Sequence, residues 1–254
     1  MSDALTPQVS PSPAPVAPEA AGGFFQNLVD VYFSPREAFT RIVRQPRFLV
    51  PLVLYVVLVL GFTAVWMQKM DPVEFMKVQI EESGQIDRIP AEQRGAIIEQ
   101  QAKMMPIFAW VFGPLGIAVT LLGIAVVLML VYRFFYASEV TFRQSLAIVT
   151  WVFFAVGLVT TPLLLLVLQL KGDWNINPQE AIQANLGLLL DKSTAAKPLW
   201  ALLSSIDVFS LWMIFLLAVG FGVASRKTTG SAIWGVAVPW AIIVLLKVGW
   251  AAIF

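Results

Sequence analysis

Five long apolar stretches, almost free of charge, constrain this chain more than any other feature. They run over residues 48–67, 106–131, 144–170, 208–225 and 232–250, and Lys247 is the one charge among them. A hydrocarbon core of roughly 30 Å is crossed by about 20 apolar residues in a helix. In lipid every backbone polar group must be satisfied within its own segment, or in a closed barrel whose strands alternate apolar and polar residues. No such alternation occurs here. The expected fold is therefore all-α, a polytopic membrane protein with five transmembrane helices. Composition agrees: 58% of the residues are hydrophobic and only 13% are charged, where soluble domains average about 45–50% and about 25%.

The residues that are missing restrict the chemistry. The chain contains no Cys and no His. That removes thiol catalysis, disulfides, Cys/His metal sites and every Ser-His mechanism. Only a carboxylate metal site stays open. No phosphate-binding glycine loop is present. The expectation is a non-enzymatic protein with no cofactor and no metal. A net charge of +1 gives no pull toward polyanions, so no nucleic acid is expected as a partner.

Basic residues sort the two sides. Arg36, Arg41, Arg44 and Arg47 precede the first span, Arg133 and Arg143 flank the second connection, and Arg226 and Lys227 form the fourth. The other two connections are far longer and hold no more basic residues. The bias places the compact basic segments, and the amino terminus, in the cytoplasm. Five spans then put the carboxyl terminus outside. Trp66, Trp110, Trp174, Trp200 and Trp250 fall near the outer face, as an interfacial belt would.

Outside the spans, residues 1–23 carry five prolines amid Ala, Ser and Gly, the composition of a disordered tail. Residues 24–45 read as two short amphipathic helices on the inner membrane surface. Phe24, Phe25, Leu28 and Tyr32 line one side of the first. Ser34-Pro35-Arg36-Glu37 has the form of a capping box opening the second. Arg36, Arg41, Arg44 and Arg47 can then contact lipid headgroups, each worth roughly 1 kcal/mol near an anionic surface. A plain positive-inside anchor with no lipid preference is the alternative. In the first outer loop, Asp71-Pro72-Val73-Glu74 and Pro90-Ala91-Glu92 start two helices, giving an outer helical hairpin. In the second, Pro198 opens a helix expected to run unbroken into the fourth span.

Two charges lie nearest to membrane depth. Counted at 1.5 Å per residue from the short turn at Arg226 and Lys227, Asp207 and Lys247 both stand about 28–30 Å up their helices. A structural ion pair, or separate snorkelling to the outer interface, competes with a proton or ion relay. Under the pair reading, exchanging the two residues preserves expression. Thr120, Thr150, Thr160 and Thr161 are too few to draw a hydrophilic path. A small transporter or ion-conducting protein using Asp207 and Lys247 is the alternative function.

Several segments carry a family likeness. Pro35, Phe39 and Ile42 stand in a P-x-x-x-F-x-x-I entry segment. Thr141-Phe142-Arg143-Gln144-Ser145-Leu146-Ala147 opens the third span. Asp207-Val208-Phe209-Ser210-Leu211-Trp212, with Gly220 and Ser225-Arg226-Lys227, closes the pattern. Over residues 24–254 the chain resembles the Yip1 domain family in its bacterial form. The resemblance implies a five-helix domain of the bacterial inner (cytoplasmic) membrane with a cytoplasmic amino terminus. It also implies a membrane-organising or scaffold role, with membrane lipid, other membrane proteins or a second copy of the chain as partners. Eukaryotic members act in vesicle traffic, membrane shaping and contact with Rab-type GTPases. The "DLYGP"-type segment of those members is absent here, so a small GTPase is not carried over.

Overall fold

The computed structural model describes residues 23–253 apart from 85, 183, 192 and 193. The tail expected over 1–23 therefore lies outside the described residues, save Gly23. All regular structure in the described chain is helical, with a single isolated bridge between Asn185 and Asp207. Two short helices come first, α1 (Phe24–Phe33) and α2 (Pro35–Arg44). Pro35 presets the first turn of α2, and the Ser34 carbonyl accepts from the amides of Glu37 and Ala38 at 3.0 and 3.2 Å. The expected capping box does not form, because the Ser34 side chain makes no cap bond. Both amides a capping box would use have other acceptors, that of Ser34 on the Asp30 carbonyl at 2.8 Å and that of Glu37 on the Ser34 carbonyl.

Helix α3 (Leu49–Lys69) follows, and then α4 (Pro72–Glu82), whose start is fixed by Asp71 accepting from the Val73 and Glu74 amides at 2.8 and 3.1 Å. Gly84, at φ +70°, ends it. The second arm of the hairpin expected on the outer side, α5 (Ala91–Ile107), does not stop before the second apolar stretch. It continues through a π turn at Phe108–Phe112 into α6 (Gly113–Tyr136), a helical run of 46 residues. Pro106 and Pro114 flank that turn. Each lacks the amide the previous turn would use, and the wider π turn absorbs the mismatch.

Helix α7 (Phe142–Lys171) is the axis of the bundle, and every residue from Ser145 to Gly157 except Phe153 is buried. At its start the Thr141 hydroxyl accepts from the Gln144 amide, and the Thr141 amide donates back to the Gln144 side chain, a complete capping box. A short α8 (Pro178–Ala181) and α9 (Lys197–Ser204) lead to α10 (Val208–Ala224) and α11 (Thr229–Ile253). The expected continuous helix from Pro198 to Ser225 is broken at Ser205–Asp207, because Asp207 turns extended and caps α10.

Four helices are thus long and apolar enough to cross a membrane: Leu49–Lys69, Ala91–Tyr136, Phe142–Lys171 and Thr229–Ile253. The fourth of the five expected spans is apolar but only 17 residues long. The main core joins α1 and α2 to α6, α7, α10 and α11 around Phe39, Tyr132, Ile148 and Phe221. A smaller core at the opposite end gathers Trp66, Met70, Phe75, Leu168 and Ala181. Trp66 is therefore mostly buried, donating to the Trp174 carbonyl at 3.0 Å, whereas Trp110 and Trp250 stay exposed.

Candidate functional site

The amphipathic pair α1–α2 is built into the bundle. Along α2, Ala38, Phe39 and Ile42 recur at helical spacing and are fully or almost fully buried. Phe39 lies against Gly220 of α10: a Cβ there would stand 3.1 Å from the Phe39 ring and 2.5 Å from Ile148. The Gln144 side chain donates to the Val43 carbonyl at 3.3 Å, which fastens the end of α2 to the start of α7.

Helix α1 crosses α7 rather than following it. From Phe24 to Tyr32 is about 12 Å of helix. Over that length its contacts on α7 shift only from Trp151 and Phe154 to Ala155, whose carbonyl accepts the Tyr32 hydroxyl at 2.7 Å. The Tyr32 ring also rests 5.9 Å from that of Trp212. Burial pushes the Tyr32 hydroxyl above its ordinary value of 10.0, which keeps it a donor. The inward face is Phe24, Leu28, Val31 and Tyr32. Phe25 was expected on that face and is not: Phe25, Val29 and Phe33 form a second stripe pointing away from the protein, 79%, 53% and 83% exposed. Apolar stripes on both sides of one helix were the sequence signal for a helix with one docked and one exposed apolar face.

The four arginines do different things. Arg41 stitches the hairpin: its Nη2 pairs with Asp30 and its Nε donates to Asn27 at 2.8 Å. Arg36, Arg44 and Arg47 are exposed. The backbone of Arg47 is nevertheless fixed, its amide donating to the Gln45 carbonyl at 2.7 Å and its carbonyl accepting from the Trp151 indole at 3.2 Å. Between α1, α2 and the start of α3 lies a notch of about 110 Å³, lined by Asn27, Arg41, Gln45, Arg47 and Trp151 with apolar walls at Phe24, Val50 and Pro51. Arg41 and Arg47 are brought together there, while Arg36 and Arg44 do not line it.

At the opposite end, Asp207 is occupied by its own helix. It accepts from the Phe209 and Ser210 amides at 2.9 and 3.0 Å and from the Ser210 hydroxyl. The Lys247 ammonium donates to the Ser205 hydroxyl at 3.0 Å, not to Asp207. The fold thus brings both residues beside the Ser205–Asp207 break with separate partners. Lys247 also faces a cleft of about 560 Å³ with Glu180, Asp191 and Trp200. Inside the bundle, buried hydroxyls close on helix carbonyls: Ser145 on Ala125 at 2.6 Å, Thr150 on Leu146 at 2.9 Å and Tyr132 on Ala232.

Compared with known proteins, the chain matches the model of the Yip1 domain over residues 29–251. No curated protein and no solved structure matches it.

Proposed function

This chain belongs to the Yip1 domain family, and from that premise we propose that it is a five-span, non-enzymatic protein that organises the membrane around it. It is a multi-pass integral membrane protein. In our reading the amino terminus is cytoplasmic, the membrane is a bacterial inner membrane, and α1 lies in the cytoplasmic leaflet. One observation carries this reading. Helix α1 is pinned across α7 on one side and turns Phe25, Val29 and Phe33 outward on the other, level with the first residues of α3. A helix so placed adds cross-section to one leaflet only, with its apolar face buried at the headgroup boundary. Arg36, Arg44 and Arg47 favour an anionic surface beside it.

The internal closure of Ser145, Thr150 and Tyr132 favours this role over transport, since hydroxyls bonded to helix carbonyls are not free to line a water path. The test is reconstitution of the full chain into vesicles containing phosphatidylglycerol. Increasing protein density is expected to shrink or tubulate the vesicles, and F25D with F33D to abolish the effect. Vesicle shape indifferent to protein and variant alike would overturn the reading. Ion flux that disappears in D207A and K247A would replace it with the conducting one.

A further inference from the structure

We infer that the notch between α1, α2 and α3 is a binding site for one phosphate group of an anionic glycerophospholipid, held chiefly by Arg47 and Arg41. The inference rests on the reading above that α1 lies at the headgroup level of a leaflet. Its size fits: about 110 Å³ is room for roughly four water-sized groups, the scale of a phosphate and its oxygens.

Its chemistry fits as well. The bonds from Arg41 to Asp30 and Asn27 fix the guanidinium plane while leaving it further donors. Arg47 is exposed, and its side chain makes no hydrogen bond among the described residues. Its backbone is held by Gln45 and Trp151, so the chain is anchored where the guanidinium is needed. Since Asp30 already balances Arg41, Arg47 contributes the uncompensated charge. A guanidinium binds a phosphate through two parallel bonds and is weakly hydrated, both of which suit an interfacial site. Asn27 and Gln45 add polar edges, and Trp151 makes an amphipathic floor.

The walls indicate where the phosphate comes from. Val50 and Pro51 begin the first apolar helix and Phe24 faces them across the notch. A free phosphate would leave these surfaces wet, whereas the glycerol and upper chain of a lipid would cover them.

The test is native mass spectrometry of the full protein, loaded with an equal mixture of phosphatidylglycerol and phosphatidylcholine. The wild type and R36Q, whose arginine is exposed away from the notch, are expected to retain phosphatidylglycerol selectively. R47Q is expected to lose roughly tenfold in that selectivity, the scale of one charge-assisted contact, and R47K to fall between. Equal losses in R36Q and R47Q would reduce the effect to surface charge and overturn the site. Release of the lipid by millimolar inorganic phosphate would overturn a lipid as its ligand. Lipid retention is read without vesicles, so it can fail while vesicle remodelling persists, and remodelling can fail while retention persists.

Discussion

At the residue scale, neighbouring side chains decide which small or charged residues matter. Gly220 and Gly235 sit where other helices come close. A Cβ on Gly220 would meet Ile148 at 2.5 Å, and one on Gly235 would meet the Tyr132 ring at 2.8 Å. Both partners are buried and cannot swing away. G220A and G235A are each expected to destabilise by about 1–3 kcal/mol, read as a lowered melting temperature in detergent. G123A faces open space and is expected to be neutral or to gain up to about 1 kcal/mol of helix propensity. Spacing in the sequence marks Gly123 and Gly220 as equals, because it does not reveal which helix face meets a neighbour. The same holds for Asp207. Its depth was legible, but its use as a cap depends on a break in the helix that apolar composition hides. The cap geometry predicts that D207A costs about 0.5–2 kcal/mol and D207N much less. It also predicts that exchanging the charges, D207K with K247D, restores nothing. Recovery of expression and melting temperature in the exchanged variant would instead support a direct pair.

At the element scale, the hairpin α1–α2 shows both what a sequence reveals and what it hides. The presence of two helices, the proline start of α2 and the apolar side at Phe39 and Ile42 were legible from local pattern. The depth of docking was not, because it rests on contacts such as Tyr32 with Ala155 and Trp151 with Arg47, which lie more than a hundred residues apart in the chain. Likewise Ser34 has a capping-box sequence without the box, whereas Thr141 and Gln144 form one. The Tyr32 hydroxyl gives docking a pH dependence with a definite sign. Burial raises its folded value above 10.0, so the neutral donor is favoured when docked. Its contribution is complete below that ordinary value and is lost as pH climbs through the raised one. Proteolysis within residues 24–44 is expected to accelerate at alkaline pH in the wild type. Y32F lacks the bond at every pH, costing about 1 kcal/mol, and its proteolysis is expected to lose this alkaline component. An identical alkaline response in Y32F would show that another group controls docking.

At the scale of the whole molecule, the number of crossings turns on α10. Its 17 residues span about 25 Å, a few ångströms short of a typical hydrocarbon core. A mismatch of that size costs fractions of a kcal/mol per ångström and is met by local thinning and snorkelling of flanking charges. Asp207 lies at one end of α10, and Arg226 and Lys227 lie at the other. Beyond the break at Asp207, α9 continues along α11, so α9 and α10 together accompany the 25 residues of α11. Leaving α10 uncrossed would strand an apolar helix outside the lipid while α11, joined to it by a tight turn at Arg226, φ 56°, crosses. In the proposed five-span reading α10 crosses, which places residues 194 and 227 on opposite sides. The chain has no cysteine of its own, so single cysteines report without background. T194C and K227C, both at exposed positions, are expected to react with an impermeant thiol reagent from opposite faces of sealed vesicles, K227C from the face that carries the amino terminus. Labelling of both from one face would leave four crossings, return the carboxyl terminus to the amino-terminal side and remove the five-span reading.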